Sequence, residues 1–363
     1  MREIWQHEIE STLAGVARAI DEAGLALFIN GAGEIGLSVL TLAIQSGIPV
    51  AGVHEPHPGA SLEAMATRLG LGRRDDVSVD EAARRVHVAG QSIPILEALP
   101  KDLRFDRMTD REVIVLDCSG LDFTREGARR WIDAGAEAVF FSGPGSTAEE
   151  REEIPLLLHG VTLDTMRTIT RIGSMGSCTT NSVVAPILAL HRAFGVEAGT
   201  MISVHSATNS DGACDSWRGR GILDALGAPS GSGALALVGL LVRDLENAFA
   251  GGAIRVPAAD GSMTYLTLFL DDESVSASDV NGVLEKVVEK SPFFGLNRSP
   301  ESLTLGAIRS SYYLAWLDAT QTRVVPVPGK GAMVQLASGY SNKWGFAAAL
   351  LGLPGAWAEA RNG

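Results

Sequence analysis

The chain has 363 residues, 46% hydrophobic and 20% charged, which is ordinary globular usage and excludes a disordered chain or a fibre. Asp and Glu total 43 against 30 Lys and Arg, a formal charge of −13. Phosphate backbones are repelled at long range and no dense basic run offers a local patch, so nucleic acid is not an expected partner. The longest apolar run, 233–242, is far shorter than the roughly 20 residues that span a bilayer, so no membrane role is expected. At roughly 150 residues per domain, two domains are expected.

Residues 1–23 read as an amphipathic helix, with Trp5, Ile9, Leu13, Val16 and Ile20 on one stripe. Glu3, Glu8, Glu10, Asp21 and Glu22 among them argue against a secretory signal. The three cysteines, Cys118, Cys178 and Cys214, cannot all pair within the chain, which fits a reducing, cytoplasmic setting. Leu25–Asn30 is a buried-strand run, followed by Gly31-Ala32-Gly33-Glu34-Ile35-Gly36. Residues 35–46 are helix-like and end at Gly47, and Ile48–His54 is a second strand. Further strand runs stand at Glu112–Asp117 and Ala138–Ser142, with helices near Ser61–Leu69 and Arg125–Ala134. This alternation predicts an α/β fold with a parallel, doubly wound sheet. After residue 178 a helix at 181–194 precedes longer alternating strands, Thr200–Ala207, Gly252–Val256 and Ser262–Leu270, which predict an α+β second domain. Residues 345–363 return to a helical pattern.

The glycine turn follows a strand directly and opens a helix. In that context Gly31, Gly33 and Gly36, with Glu34 and Ile35 between them, predict a dinucleotide pyrophosphate site at the helix N-terminus. Glu55 closes the second strand, where a carboxylate accepts hydrogen bonds from a ribose diol and repels a 2′-phosphate, so NAD is expected rather than NADP.

Cys178 stands where a loop becomes a helix, a position that lowers a thiol's pKa. His205 follows at the end of a strand that could return it beside Cys178, giving a nucleophile and a general base. A lone cysteine is also commonly buried filler.

Around these residues the sequence resembles the glyceraldehyde-3-phosphate dehydrogenase family, from about residue 25 to 350. The resemblance is carried by Ser177-Cys178-Thr179-Thr180-Asn181, and by Phe28–Gly36, Cys118-Ser119-Gly120, Val204–Asn209, Trp217-Arg218-Gly219, Ile254–Pro257 and Asn342–Phe346, in the family's order. It implies an N-terminal helical extension (1–24), a Rossmann-type NAD-binding domain (25–177) completed by a returning C-terminal helix (340–363), and a catalytic domain (178–339). It also implies a mechanism in which Cys178 attacks a small phosphorylated aldehyde, His205 takes the thiol proton, NAD accepts hydride, and inorganic phosphate or water resolves the thioester. By the same resemblance Thr208, Ser210 and Arg255 hold the substrate phosphate. Ser177, Thr179, Ser232 and Gly233 hold the attacking phosphate, Asn342 the nicotinamide carboxamide, and Ser119, Gly120 and Ser142 line the cofactor path. No metal site is expected, and a homo-oligomer, dimer or tetramer, is.

Four segments bear on the substrate. Leu116–Gly120, Phe141–Ser146 and Thr320–Val324 look like the related erythrose-4-phosphate dehydrogenases, whereas Thr208 with Ser232-Gly233 looks like the glyceraldehyde-3-phosphate enzymes. The latter touch substrate, so glyceraldehyde 3-phosphate ranks first, with erythrose 4-phosphate, another phosphorylated aldehyde, or a silent NAD-binding paralogue as alternatives. Glu34 stands where the family carries a basic residue, Ala236 where it carries a lysine, and the stretch from His205 to Trp217 is shorter than the family's. These departures imply a divergent branch.

Overall fold

A computed structural model describes residues 2–55, 78–97, 100–163, 170–206, 230–231, 233–258, 260–290, 295–309 and 311–362. The chain forms two compact units: Met1–Leu157 with Thr165–Met175 and Ala347–Gly363, and Leu158–Asp164 with Gly176–Phe346. Each has its own eight-stranded or seven-stranded sheet, the second with an additional strand paired at its side. The fold is α/β, a doubly wound sheet plus an α+β unit, closed by a C-terminal helix.

In the first unit α1 (Arg2–Glu22) precedes β1 (Leu25–Asn30), all of whose residues are buried. Gly31 turns the chain at φ +94° into α2 (Glu34–Gln45), and β2 (Val50–His54) follows. Gly47, at φ +74°, closes α2: its N–H donates to Ile44 and that of Ile48 to Ala43, freeing neither carbonyl. Strands β3 (Ser78–Asp80), β4 (Arg85–Val88) and β5 (Gln91–Leu96) form an antiparallel ribbon whose last member runs parallel to β2. Then come β6 (Glu112–Asp117), α3 (Arg125–Asp133), β7 (Ala136–Phe141), α4 (Ala148–Glu153) and β8 (Ile172–Ser174). The sheet order is β3-β4-β5-β2-β1-β6-β7-β8, parallel from β5 onward. Phe28, Phe105 and Trp131 pack under it, with ring centroids 4.9 and 5.5 Å from Phe28. The chain winds outward from β1 through β2 and returns to β6 on the other side, so a crevice opens at the carboxyl ends of β1 and β6.

In the second unit α5 (Cys178–Phe194) leads into β9 (Val196–Ser206). There follow β10 (Ser230–Gly231), α6 (Gly233–Leu241), β11 (Phe249–Val256), β12 (Ser262–Leu270) and α7 (Ala277–Lys290). The remainder is β13 (Leu296–Ser299), α8 (Leu305–Arg309), β14 (Ala315–Asp318), β15 (Arg323–Val327) and β16 (Gly331–Tyr340). The sheet order is β10-β11-β9-β12-β16-β14-β13, with β15 added to β16. Helix α5 lies on β9, β12 and β16, and α6 and α7 pack against it. The last helix, α9, spans Trp344–Asn362.

Helix α1 belongs to the first unit. The helix read at 181–194 begins at Cys178, because Ser177 caps it: the Ser177 hydroxyl accepts the Thr180 N–H at 3.1 Å. The helix read near Ser61–Leu69 lies outside the described residues.

Candidate active site

The second unit gathers its reactive side chains at the ends of four strands. Parallel pairing sets Arg255 of β11 directly beside His205 of β9. Antiparallel pairing sets Ser262, the first residue of β12, opposite Tyr340, the last of β16, and Asn342 follows two residues on. Cys178 is the first residue of α5, half-buried, with Sγ 3.7 Å from His205 Nε2. His205 Nδ1 lies 2.7 Å from the Ser206 carbonyl, and Nε2 is the ring nitrogen that faces the thiol. Arg255 Nη1 lies against His205 Nδ1 and also donates to the Ser206 carbonyl at 3.3 Å. The guanidinium thus sits beside the imidazole, with the carbonyl shared between them.

Asn342 is oriented from three sides. Its Oδ1 accepts from the Ser262 hydroxyl at 2.6 Å, its Nδ2 donates to the Ser206 hydroxyl at 2.8 Å, and its backbone N–H donates to buried Asp260 at 3.0 Å. Nδ2 is also 2.9 and 3.0 Å from the two ring nitrogens of His205. A donor to one lone pair lies in the ring plane near one nitrogen, so near-equal distances place the amide over the ring face.

The helix-start position predicts a lowered thiol pKa for Cys178, and the structure reverses the direction. Burial pushes it up; the Arg255 charge, the Thr179 hydroxyl, and the backbone N–H groups of Thr179 and Cys178 oppose the rise without cancelling it. Thr179, expected on the attacking phosphate, is itself buried, and its hydroxyl lies 2.8 Å from that of Tyr340. Ser177 is half-buried, its hydroxyl 2.8 Å from that of Thr180. Gly233 opens α6 on the surface, with nothing within 4 Å of where a Cβ would stand. Thr208, Ser210, Ser232 and Cys214 lie outside the described residues.

In the first unit two of the three glycines of the turn are held by close backbone approach. A Cβ on Gly31 would lie 2.7 Å from the Ser119 Cα, and one on Gly36 would lie 1.9 Å from the Gly31 carbonyl oxygen. Gly33 is exposed, and a Cβ there would meet nothing within 4 Å. No side chain caps the start of α2. One Glu55 oxygen accepts the Ala32 N–H at 3.2 Å, which holds the carboxylate against the turn. Glu34 and Ile35 are half-buried in the first turn of α2. Ser119 donates through both N–H and hydroxyl to Asp117, Gly120 turns at φ +69°, and the Ser142 N–H donates to the Asp117 carbonyl. These residues therefore line the carboxyl edge of β6 and β7. Burial raises the Asp117 pKa and lowers that of His54, whose Nδ1–H donates to Asn30 at 2.6 Å.

Tyr340, Ser203, Ser206, Ser262 and Asp260 escaped the sequence reading. Their partners stand up to 161 residues away, so no local spacing marks them. Among the described residues no cluster of His, Cys, Asp or Glu could hold a metal ion, and no helix is long and apolar enough to cross a membrane.

A doubly wound sheet with a glycine turn, and an α+β unit presenting a Cys–His pair beside an arginine, define an α/β dehydrogenase. Residues 177–342 match the family described as glyceraldehyde 3-phosphate dehydrogenase, C-terminal domain. A glyceraldehyde-3-phosphate dehydrogenase of Pseudomonas aeruginosa is 30% identical over 352 residues, covering 93% of this chain and 99% of that protein. One from Streptococcus dysgalactiae subsp. equisimilis is 30% identical, covering 89% and 95%. Another, from Lactobacillus delbrueckii subsp. bulgaricus, is 31% identical, covering 64% and 67%. The chain belongs to the glyceraldehyde-3-phosphate dehydrogenase family.

Proposed function

We propose that this chain oxidises a small phosphorylated aldehyde, glyceraldehyde 3-phosphate first among them, with NAD as electron acceptor and inorganic phosphate as acyl acceptor. The observation that carries the reading is Cys178 Sγ, at the start of α5, 3.7 Å from His205 Nε2. His205 takes the thiol proton, and the sulfur adds to the aldehyde carbon. The Cys178 N–H and the resulting imidazolium stabilise the oxyanion of the thiohemiacetal. NAD, when bound, accepts the hydride that converts the thiohemiacetal to a thioester. Phosphate then adds to the thioester carbonyl, the C–S bond breaks, and an acyl phosphate leaves with Cys178 restored.

Gly31, Gly33, Gly36 and the N-terminal turn of α2, including Glu34 and Ile35, would hold the dinucleotide pyrophosphate. Glu55 would take the ribose diol, and Ser119, Gly120, Ser142 and Asn342 the remainder. Arg255, with Thr208 and Ser210, would hold the substrate phosphate; Ser177, Thr179, Ser232 and Gly233 would hold the attacking one. The free thiols fit a cytoplasmic setting. The family resemblance and a largely apolar outer sheet face in the second unit support a homo-oligomer.

The test is NADH formation from NAD with glyceraldehyde 3-phosphate or erythrose 4-phosphate, each with and without inorganic phosphate. Phosphate-dependent turnover on glyceraldehyde 3-phosphate is expected. Turnover on erythrose 4-phosphate alone would move the substrate, phosphate-independent turnover would make water the acceptor, and NAD binding without turnover would make the chain a silent paralogue.

A further inference from the structure

Three polar side chains stand in a row across the carboxyl ends of the first unit's central strands. The register sets Asn30 of β1 beside His54 of β2 on one side and Asp117 of β6 on the other, so all three side chains leave the sheet on one face. All are buried, His54 at 6% exposure. Their surroundings are apolar: the His54 ring meets that of Trp131 of α3 edge to face at 5.7 Å, and Trp131 packs on Phe28.

His54 Nδ1 lies 2.6 Å from Asn30 Oδ1. That oxygen only accepts, so Nδ1 carries the proton and Nε2 keeps its lone pair. Nε2 is buried and has no hydrogen-bond partner among the described residues. The neutral ring leaves one lone pair unanswered; the cation would bury an N–H and a charge with no acceptor at that atom, which costs more. Burial accordingly holds the imidazole below the usual histidine range, against the pull of neighbouring Glu55. The same strand end carries the glycine turn. The His54 carbonyl accepts the Gly31 N–H at 2.9 Å, and the carboxylate of Glu55, the next residue, accepts the Ala32 N–H at 3.2 Å.

We propose that His54 is a positioning residue for the dinucleotide site, holding Gly31 and Glu55 in place only while its ring is neutral. A proton on Nε2 expels the ring from its apolar seat, and the end of β2 moves with it. The titratable groups that face the ring are Glu55 on its own strand and, beyond Asn30, Asp117 on β6; α3 presents Trp131 and β5 presents Leu96, neither of which titrates. The inference rests on the glycine turn and Glu55 binding NAD, as proposed above.

The experiment is calorimetric titration of the full chain with NAD from about pH 7.5 to about pH 5, in buffers of different ionisation enthalpy, with far-ultraviolet circular dichroism checking the fold at each pH. In the native chain the dissociation constant is expected to stay level near neutrality. Below the His54 transition it is expected to rise about tenfold per pH unit, with about one proton released to the buffer per NAD bound. In His54→Gln, whose amide does not titrate, the affinity is expected to be level across the range, whatever its value, and the proton release to vanish. A native affinity that is flat with pH would overturn the inference and leave the cofactor reading standing. So would an acid fall and proton release that persist in His54→Gln, which would assign the titration to Asp117 or another group. If His54→Gln does not fold, His54→Asn takes its place under the same criteria. A native chain that binds no NAD at any pH would overturn the cofactor reading and this inference with it.

Discussion

His205 is the residue on which the proposed chemistry turns, because its Nε2 faces the thiol at 3.7 Å. His205→Asn keeps a polar side chain but removes the base, so turnover is expected to fall about 10²- to 10⁴-fold, with NAD affinity unchanged by calorimetry. A smaller loss would remove His205 from the base role. Burial holds the Cys178 thiol above its ordinary range, so in the free protein its alkylation is expected to be slow at neutral pH and to climb as pH rises through that raised value. Iodoacetamide kinetics that plateau below the ordinary thiol range would contradict this. At Glu55 the carboxylate is already pinned by the Ala32 N–H. Glu55→Ser is expected to weaken NAD binding about 10- to 100-fold, the size of losing a hydrogen bond to a charged group, and to narrow the gap to NADP. Equal NAD affinity in the variant would place the ribose elsewhere.

Two glycines of one turn separate stability from binding at the scale of elements. A methyl on Gly36 would stand 1.9 Å from the Gly31 carbonyl oxygen, a clash that only backbone movement relieves, whereas a methyl on Gly33 meets nothing. Gly36→Ala is therefore expected to cost about 3 kcal/mol of unfolding free energy by denaturant titration, at the top of the overpacking range. Gly33→Ala, at φ −73°, is expected to cost about 1 kcal/mol or less and yet to weaken NAD binding. Loss of fold in both would make the turn structural only. This glycine turn, with Leu25–Asn30, Glu112–Asp117 and Ser262–Leu270, was legible because apolar runs and breakers mark such elements locally. The ribbon β3–β5 was not: its first strand has three residues, none of them buried, and so carries no apolar period. The site divided in the same way. Cys178 announced itself at a helix start and His205 at a strand end, whereas Tyr340 and Ser203 enter only through contacts made across the sheet. Burial, which reversed the direction read for the thiol, is likewise a property of packing and not of spacing.

For the molecule as a whole, the informative feature is which side of the second sheet stays wet. Strand β12 carries Ser262, Thr264, Leu266, Leu268 and Leu270 inward and Met263, Tyr265, Thr267 and Phe269 on its other face. The pairing register places Tyr265 opposite Ile202, Phe269 opposite Met333, and Met333 opposite Val325, so all share that outer face. There Ile202, Tyr265, Val325 and Met333 are 38, 42, 50 and 43% exposed. An antiparallel sheet with one solvated face normally alternates apolar with polar residues, and an outer face made mainly of large apolar side chains is the pattern of one that is covered. The chain's charge of −13 makes two copies repel, and a largely apolar face whose β15 member Arg323 is positive is where that repulsion is weakest. A second copy meeting this face about a twofold axis is the association expected. Tyr265→Asp buries a charge at the centre of that contact without touching the unit's core. In sedimentation equilibrium the native chain is expected to run as an oligomer that loosens at low ionic strength, where the net charges are least screened. Tyr265→Asp is expected to run smaller with unchanged far-ultraviolet circular dichroism. A native chain that is monomeric at every salt concentration, or a Tyr265→Asp variant that associates as tightly as the native one, would mean that copies do not meet through this face.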